Sequence, residues 1–292
     1  MKKKSSLKHT GAFWAFCAPC CILFGVFFLV PLVLSIAFSF TNYDGWKTID
    51  FVGLTNYITL FKDSKFYLSL GRTLLYTVCT LPFRVIIPLL VAVLLCSKRV
   101  AGKSLTRTMV YIPVLMSALV VGITINWMFS QEYGLVNFII RSLGGTALEW
   151  SLNPRLATFV IAFASVWASI GFNMILYIGG INSISNDLYE AATIDGASDV
   201  QAFFRITVPM LAPTTFMVVL LSTVNLLKEY ALVQGITQGG PGLSTTFIIQ
   251  YIFDKGFNQM QYGYASAIST VVMIIFALIA FAQFKVNNGG ET

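Results

Sequence analysis

Six apolar segments dictate what this chain can fold into. They lie near 13–40, 73–95, 108–129, 156–180, 211–234 and 264–284. As a helix, each is long enough to cross a hydrocarbon layer about 30 Å thick. Helices are the form to expect there, because each satisfies its own backbone hydrogen bonds without water. A β-barrel would need alternating strands of about 9–11 residues, which these lengths do not fit. The expected fold class is therefore all-α: a polytopic membrane protein with six transmembrane helices.

Composition agrees. Of 292 residues, 57% are hydrophobic and 11% charged, where soluble domains carry about 25% charged residues. The formal charge of +7 does not argue for nucleic acid, since cations gather at cytoplasmic membrane ends. Cys17, Cys20, Cys21, Cys79 and Cys96 all sit in apolar runs and read as small buried hydrophobes. The first apolar run exceeds the 7–15 residues or so of a signal-peptide core and reads as a retained span. His9 is the single histidine, which gives metal or triad chemistry no support.

Cations set the expected orientation. Lys2, Lys3, Lys4 and Lys8 precede the first span, and Lys98, Arg99, Lys103 and Arg107 crowd the loop between spans two and three. Both should be cytoplasmic. Lys47, Lys62, Lys65 and Arg72 in the first external loop are accompanied by Asp44, Asp50 and Asp63. With both termini inside, residues 181–210 are cytoplasmic, whereas 41–72, 130–155 and 235–263 lie outside.

The segment 189–209, YEAATIDGASDVQAFFRITVP, is the polar exception between two spans. Four of the twelve acidic residues, Asp187, Glu190, Asp195 and Asp199, lie in or beside it. Asp187 with Glu190 has capping-box spacing, as does Ser198 with Gln201. Gly196 supplies a stop that tolerates left-handed backbone. A second short helix is expected through about Ile206, closed by Pro209. The reading is helix, glycine bend, helix, with Phe203 and Phe204 exposed. Residues alone leave two uses open: a docking element, or an amphipathic loop on the headgroups.

Glu190-Ala191-Ala192, Gly196 and Ile206-x-Val208-Pro209 resemble the EAA signature of binding-protein-dependent ABC importer permeases. Val208 replaces the usual leucine. The run 237–245, TQGGPGLST, followed by Tyr251, Phe257 and Gly263-Tyr264-Ala265, is similar to the carbohydrate-uptake, maltose-type branch. The resemblance covers most of residues 13–284. It implies an ABC importer type I permease fold with a cytoplasmic coupling helix. The chain then reads as a single permease domain, residues 1–292, with its coupling loop at about 181–210. In that family this loop docks on the ATPase, so the resemblance assigns coupling to Glu190, Ala191, Ala192, Asp195, Gly196, Phe203, Phe204 and Pro209. It also implies a second homologous permease, two cytoplasmic ATPase subunits that bind ATP and magnesium, an extracellular or periplasmic solute-binding protein, and a carbohydrate substrate. No catalytic residue, metal or cofactor is expected in this chain, only membrane lipid around it. The expected location is the cytoplasmic membrane.

Pathway candidates come from polar spacing. Ser165, Ser169 and Asn173 recur every four residues on span four, and Ser222, Asn225 and Glu229 share a face of span five. Phe172 or Trp167 could stack on a sugar ring. The same residue types also serve interhelical packing, and both readings stand. In related sugar permeases these two spans contribute the substrate site. Arg84 lies deep in span two between Pro82 and Pro88; a cation at that depth costs about 2.5–3.5 kcal/mol on insertion scales. It should face a cavity or subunit, or pair with a proline-freed carbonyl. Lys228 and Glu229 can snorkel. Gly102-Lys103-Ser104 lacks the strand and first glycine of a phosphate loop. A secondary transporter would need ion-coupling groups at mid-membrane, and a membrane enzyme a clustered nucleophile or metal set. The same permease role for a glycerol-phosphate or amino-sugar is a further alternative.

Overall fold

The computed structural model describes residues 6–46, 49–97 and 102–288. Lys2, Lys3, Lys4, Lys47, Lys98 and Arg99, used above for orientation, lie outside these residues, as do the side chains of Lys8 and His9. Among the described residues the backbone is helical apart from connections, with one isolated antiparallel bridge between Thr41 and Phe51.

Among the described residues, four helices are long and apolar enough to cross a membrane: α1 (Phe16–Phe38), α2 (Ser64–Cys96), α5 (Pro154–Asn182) and α10 (Tyr262–Asn288). Two bent pairs pass the same test together, and counting each as one span gives six. α3 (Lys103–Leu115) and α4 (Ala118–Met128) meet at 100°, while α7 (Asp199–Met210) and α8 (Ala212–Leu227) meet at 67°. Between α5 and α7 lies α6 (Asn186–Ile194), and after α8 comes the short α9 (Ala231–Ile236).

The sequence predicts a single span near 108–129 and another near 211–234, and the structure bends both. Met116 and Ser117 are extended, at ψ 145° and 135°, which interrupts the first ladder just after Pro113. In the second, Leu211 is non-helical at ψ 3°. Pro213 has no amide to return to the carbonyl four residues back. Residues 231–234, assigned to span five from hydropathy, belong to the separate helix α9.

The residues fall into two compact units, one running to Ser64 together with Ile252–Ile275, the other Lys65–Tyr251 together with residues from Phe276 on. In the first, Tyr57 and Ser39 share a hydroxyl–hydroxyl hydrogen bond of 2.6 Å. Asn56 donates to the carbonyls of Ser39 and Thr41, and Tyr264 donates to the Asp63 carboxylate at 2.7 Å. None of the apolar window of α1 is buried by this chain, so lipid or another protein must cover it.

The second unit has two buried apolar clusters. One gathers Tyr76, Val121, Ile125, Phe129, Trp150, Ile161, Ala164, Leu226, Val233 and Phe247; the other Ala92, Leu95, Met174, Tyr177, Leu211 and Val218. α2, α5 and α8 pass through both, entering one cluster at Tyr76, Ala164 and Leu226 and the other at Ala92, Met174 and Val218. Glycines set a close crossing of α4 and α9. A Cβ on Gly122 of α4 would lie 2.9 Å from the Leu232 carbonyl oxygen, and one on Gly235 of α9 would lie 2.7 Å from that of Leu119. Only hydrogen fits between these backbones.

Candidate functional site

Two places gather the residues singled out by sequence: a loop between α5 and α8, and a polar layer between the two apolar clusters.

The loop begins at Ser185, whose extended backbone and side chain cap α6, accepting the Asp187 amide at 3.3 Å. The sequence places this cap at Asp187. An N-cap must precede the first helical residue; that residue is Asn186, so Asp187 falls in the first turn, where its charge suits the helix dipole. The stop at Gly196 is as predicted. Gly196 has φ +75°, its amide donates to the Thr193 carbonyl, and Ala197 donates to that of Ala192. These are the two bonds of a Schellman turn. The second capping box is also present, Ser198 and Gln201 each satisfying the other's backbone amide.

α7 then continues farther than expected. Phe203–Thr207 form a π-type turn, with the Val208 amide reaching the Phe203 carbonyl. Pro209 does not close this helix, which runs through it to Met210. The widened turn has already shifted the ladder, so the amide that proline lacks is not missed where an α-helix would need it. Glu190, Ala191, Asp195 and Gly196 are exposed, Ala192 half-buried. The Phe203 and Phe204 rings meet edge-on at 4.9 Å. Phe204 is 64% exposed, Phe203 half-buried.

Sequence reasoning missed three features here. Ile194 and Val200 stand 86% and 65% exposed on either side of the bend. With Phe204 they make the loop an apolar surface as well as an acidic one; their nearness to Gly196 was the available signal. The third is a bond from the half-buried Tyr189 hydroxyl to the buried Thr207 hydroxyl, 2.9 Å. It pins α6 to α7, and nothing in a spacing of 18 residues announces it.

The polar layer is built on α2, α5 and α8. Arg84 is 7% exposed. Its Nε and Nη2 both donate to the Ser165 carbonyl, at 3.2 and 3.1 Å. The carbonyl of Arg84 itself is the one that Pro88 leaves without an intrahelical donor, and Asn173 supplies it at 2.9 Å. Asn173 also donates to the Ser222 hydroxyl at 3.2 Å. Ser165, Asn173 and Ser222 are 0, 3 and 2% exposed; Asn173 and Ser222 bond between helices through their side chains, Ser165 through its main-chain carbonyl. Ser169 is half-buried, its hydroxyl returning to the Val166 carbonyl. Phe172, 41% exposed, and Asn225 remain open. Glu229 is half-buried and accepts the Leu232 amide at the start of α9; Lys228 is exposed.

The glycine-rich run closes on itself. Thr237 and Thr245 bond through their hydroxyls at 2.7 Å, Thr245 donates to the Gly240 carbonyl at 2.6 Å, and the Gly240–Pro241 peptide is cis. α2 holds the loop: Arg72 donates to the Leu243 carbonyl, and Thr73 accepts the Ile248 amide.

The family described as "binding-protein-dependent transport system inner membrane component" matches residues 54–288. This chain belongs to that family. As an inner-membrane transport component it is a multi-pass permease. It is 32% identical over 279 residues to the arabinooligosaccharides transport system permease protein of Bacillus subtilis (strain 168), covering 94% of this chain and 88% of that protein. Its fold matches a chain of a bacterial ABC transporter involved in the import of the acidic polysaccharide alginate, with TM-score 0.84, 24% identity and 97% of each chain covered. A second structure, the alginate transporter in complex with an alginate pentasaccharide-bound periplasmic protein, matches with TM-score 0.83 at 23% identity, over 97% of this chain and 96% of that one. The permease therefore has the ABC importer type I fold expected from its two motifs.

Proposed function

We propose that this chain is one of two permease subunits of an ABC importer for an oligosaccharide or related carbohydrate. A solute-binding protein delivers the sugar from outside, and two copies of a cytoplasmic ATPase, holding ATP and magnesium, power its passage. The observation that carries this reading is the α6–Gly196–α7 loop. Its backbone is fixed by two caps and a Schellman turn, yet Ile194, Val200 and Phe204 are left without cover. A rigid loop with exposed apolar side chains beside Glu190 and Asp195 suits docking into a groove of another protein. The Tyr189–Thr207 bond carries motion of the docked helix into α7 and α8. The sugar assignment draws support from the oligosaccharide-permease relative, and the binding-protein partner from the alginate complex.

With this loop cytoplasmic, the loop Thr237–Thr246 is external. The layer around Arg84 keeps α2, α5 and α8 together, and the sugar meets the accessible residues Ser169, Phe172, Asn225 and Glu229. Phe172 stacks on a sugar face, and the polar groups bond its hydroxyls.

Uptake into proteoliposomes containing both permeases and the ATPase tests this. Uptake that requires internal ATP and the loaded binding protein supports the importer. Uptake indifferent to ATP and abolished by ionophores overturns it in favour of ion coupling. Purifying the assembled complex and identifying the sugar on its binding protein fixes the substrate.

A further inference from the structure

A groove of about 730 Å³ lies between α2 and α5. Its walls are apolar, with Leu75, Phe83 and Ile87 from α2 and Phe159, Phe163 and Val166 from α5. Arg72 and Arg155 stand at one end, and no carboxylate is among the lining residues. Arg155 is exposed in the first turn of α5, Arg72 half-buried near the start of α2. Arg72 spends a single donor on Leu243 and keeps others of its five for a ligand.

The dimensions are those of one lipid leaflet. At about 1.5 Å per helical residue, the wall from Arg72 to Ile87 is about 22 Å long and that from Arg155 to Val166 about 16 Å. Half of a hydrocarbon layer about 30 Å thick is about 15 Å. A sugar would find few hydrogen-bond partners along these walls. An apolar helix from another subunit would fill them but offer the two guanidinium groups no anion. A phosphate with acyl chains satisfies both ends.

We propose that this groove is a binding site for an anionic phospholipid. The phosphate sits on Arg72 and Arg155, and an acyl chain lies along Phe83, Phe159 and Phe163. In the orientation proposed above the lipid belongs to the outer leaflet; only the choice of leaflet rests on that reading. Because Arg72 also holds Leu243, the headgroup and the glycine-rich loop share one guanidinium.

Native mass spectrometry of the assembled transporter, released from nanodiscs of phosphatidylcholine and phosphatidylglycerol, tests the site. The expected result is one phosphatidylglycerol retained on this subunit. Arg155→Gln should reduce retention about five-fold, as loss of one cation near a headgroup predicts. Thr158→Trp, which fills the groove and leaves both arginines in place, should also remove the lipid. Equal retention of the two lipids, or retention unaffected by either variant, overturns the proposal. Cys79 lines the groove and is exposed. In a variant keeping only this cysteine, phosphatidylglycerol should slow maleimide labelling about five-fold relative to phosphatidylcholine alone. Equal labelling in both membranes means that the groove does not select the anionic lipid, and also overturns the proposal. Both readouts are independent of ATP-driven uptake, so failure here leaves the importer reading standing.

Discussion

Asn173 donates its side-chain amide to the main-chain carbonyl of Arg84 at 2.9 Å, and that carbonyl is free because residue 88 is proline. A helix-breaking feature of α2 has thus become an attachment point for α5. The same asparagine reaches Ser222 on α8, so one side chain joins three helices. The Arg84 guanidinium completes the layer through Ser165.

This pairing predicts a rescue. Asn173→Ala should lower stability by about 1 kcal/mol, between the membrane average for an interhelical hydrogen bond and the cost of a buried unsatisfied carbonyl. In a Pro88→Ala background residue 88 regains an amide for the Arg84 carbonyl, and the same substitution should cost clearly less. Thermal unfolding of the four purified proteins gives the coupling. An equal cost in both backgrounds would show that Asn173 does not serve this carbonyl.

Gly196 separates backbone strain from steric room. Nothing lies within 4 Å of a Cβ built there, whereas its φ is +75°. Gly196→Val should therefore strain the bend by about 1 kcal/mol or more and uncouple ATP hydrolysis from transport. Gly196→Asn, which accepts left-handed backbone, should retain most transport. If Asn is as damaging as Val, it is space for a docked protein that the glycine preserves.

Tyr189→Phe removes one hydroxyl from a half-buried contact, an expected loss of about 0.5–1.5 kcal/mol. The ATPase should still bind, because the exposed docking face is unchanged, but sugar moved per ATP should fall. Thr207→Val should behave alike, and the double variant no worse than either single one. Additive losses in the ratio of uptake to hydrolysis would mean that the two residues act separately.

The α4–α9 crossing predicts opposite outcomes for two glycines. Gly122→Ala places a methyl 2.9 Å from a backbone oxygen and should cost about 1–3 kcal/mol as overpacking. Gly179→Ala in α5 meets nothing within 4 Å and should be neutral or mildly stabilising. Midpoints of heat-induced aggregation in detergent distinguish them; similar midpoints would argue that α4 and α9 can separate freely.

The membrane class, the loop's second capping box and its glycine stop were determined by sequence, because all three rest on local properties. An apolar run of sufficient length has few alternatives to a spanning helix. Ser198, Gln201 and Gly196 act within a few residues of themselves, so spacing alone predicted their bonds. Hydropathy, however, measures apolarity and not direction, and the bends at Met116–Ser117 and Leu211 escaped it. Pro209 misled for a related reason: the π turn before it altered the hydrogen-bond register that the proline was expected to break.

Only tertiary structure sorted the polar stripes. Ser165, Ser169 and Asn173 have equivalent spacing, yet Asn173 and the Ser165 carbonyl are consumed by α2, while Ser169 stays partly accessible. Which face of a helix meets a neighbour depends on side chains more than eighty residues away, and no local pattern encodes that partner. Arg84 shows the division most plainly. Its sequence position showed that it needed compensation in the membrane, and the fold decided that its guanidinium finds the Ser165 carbonyl while its own carbonyl, freed by Pro88, is met by Asn173.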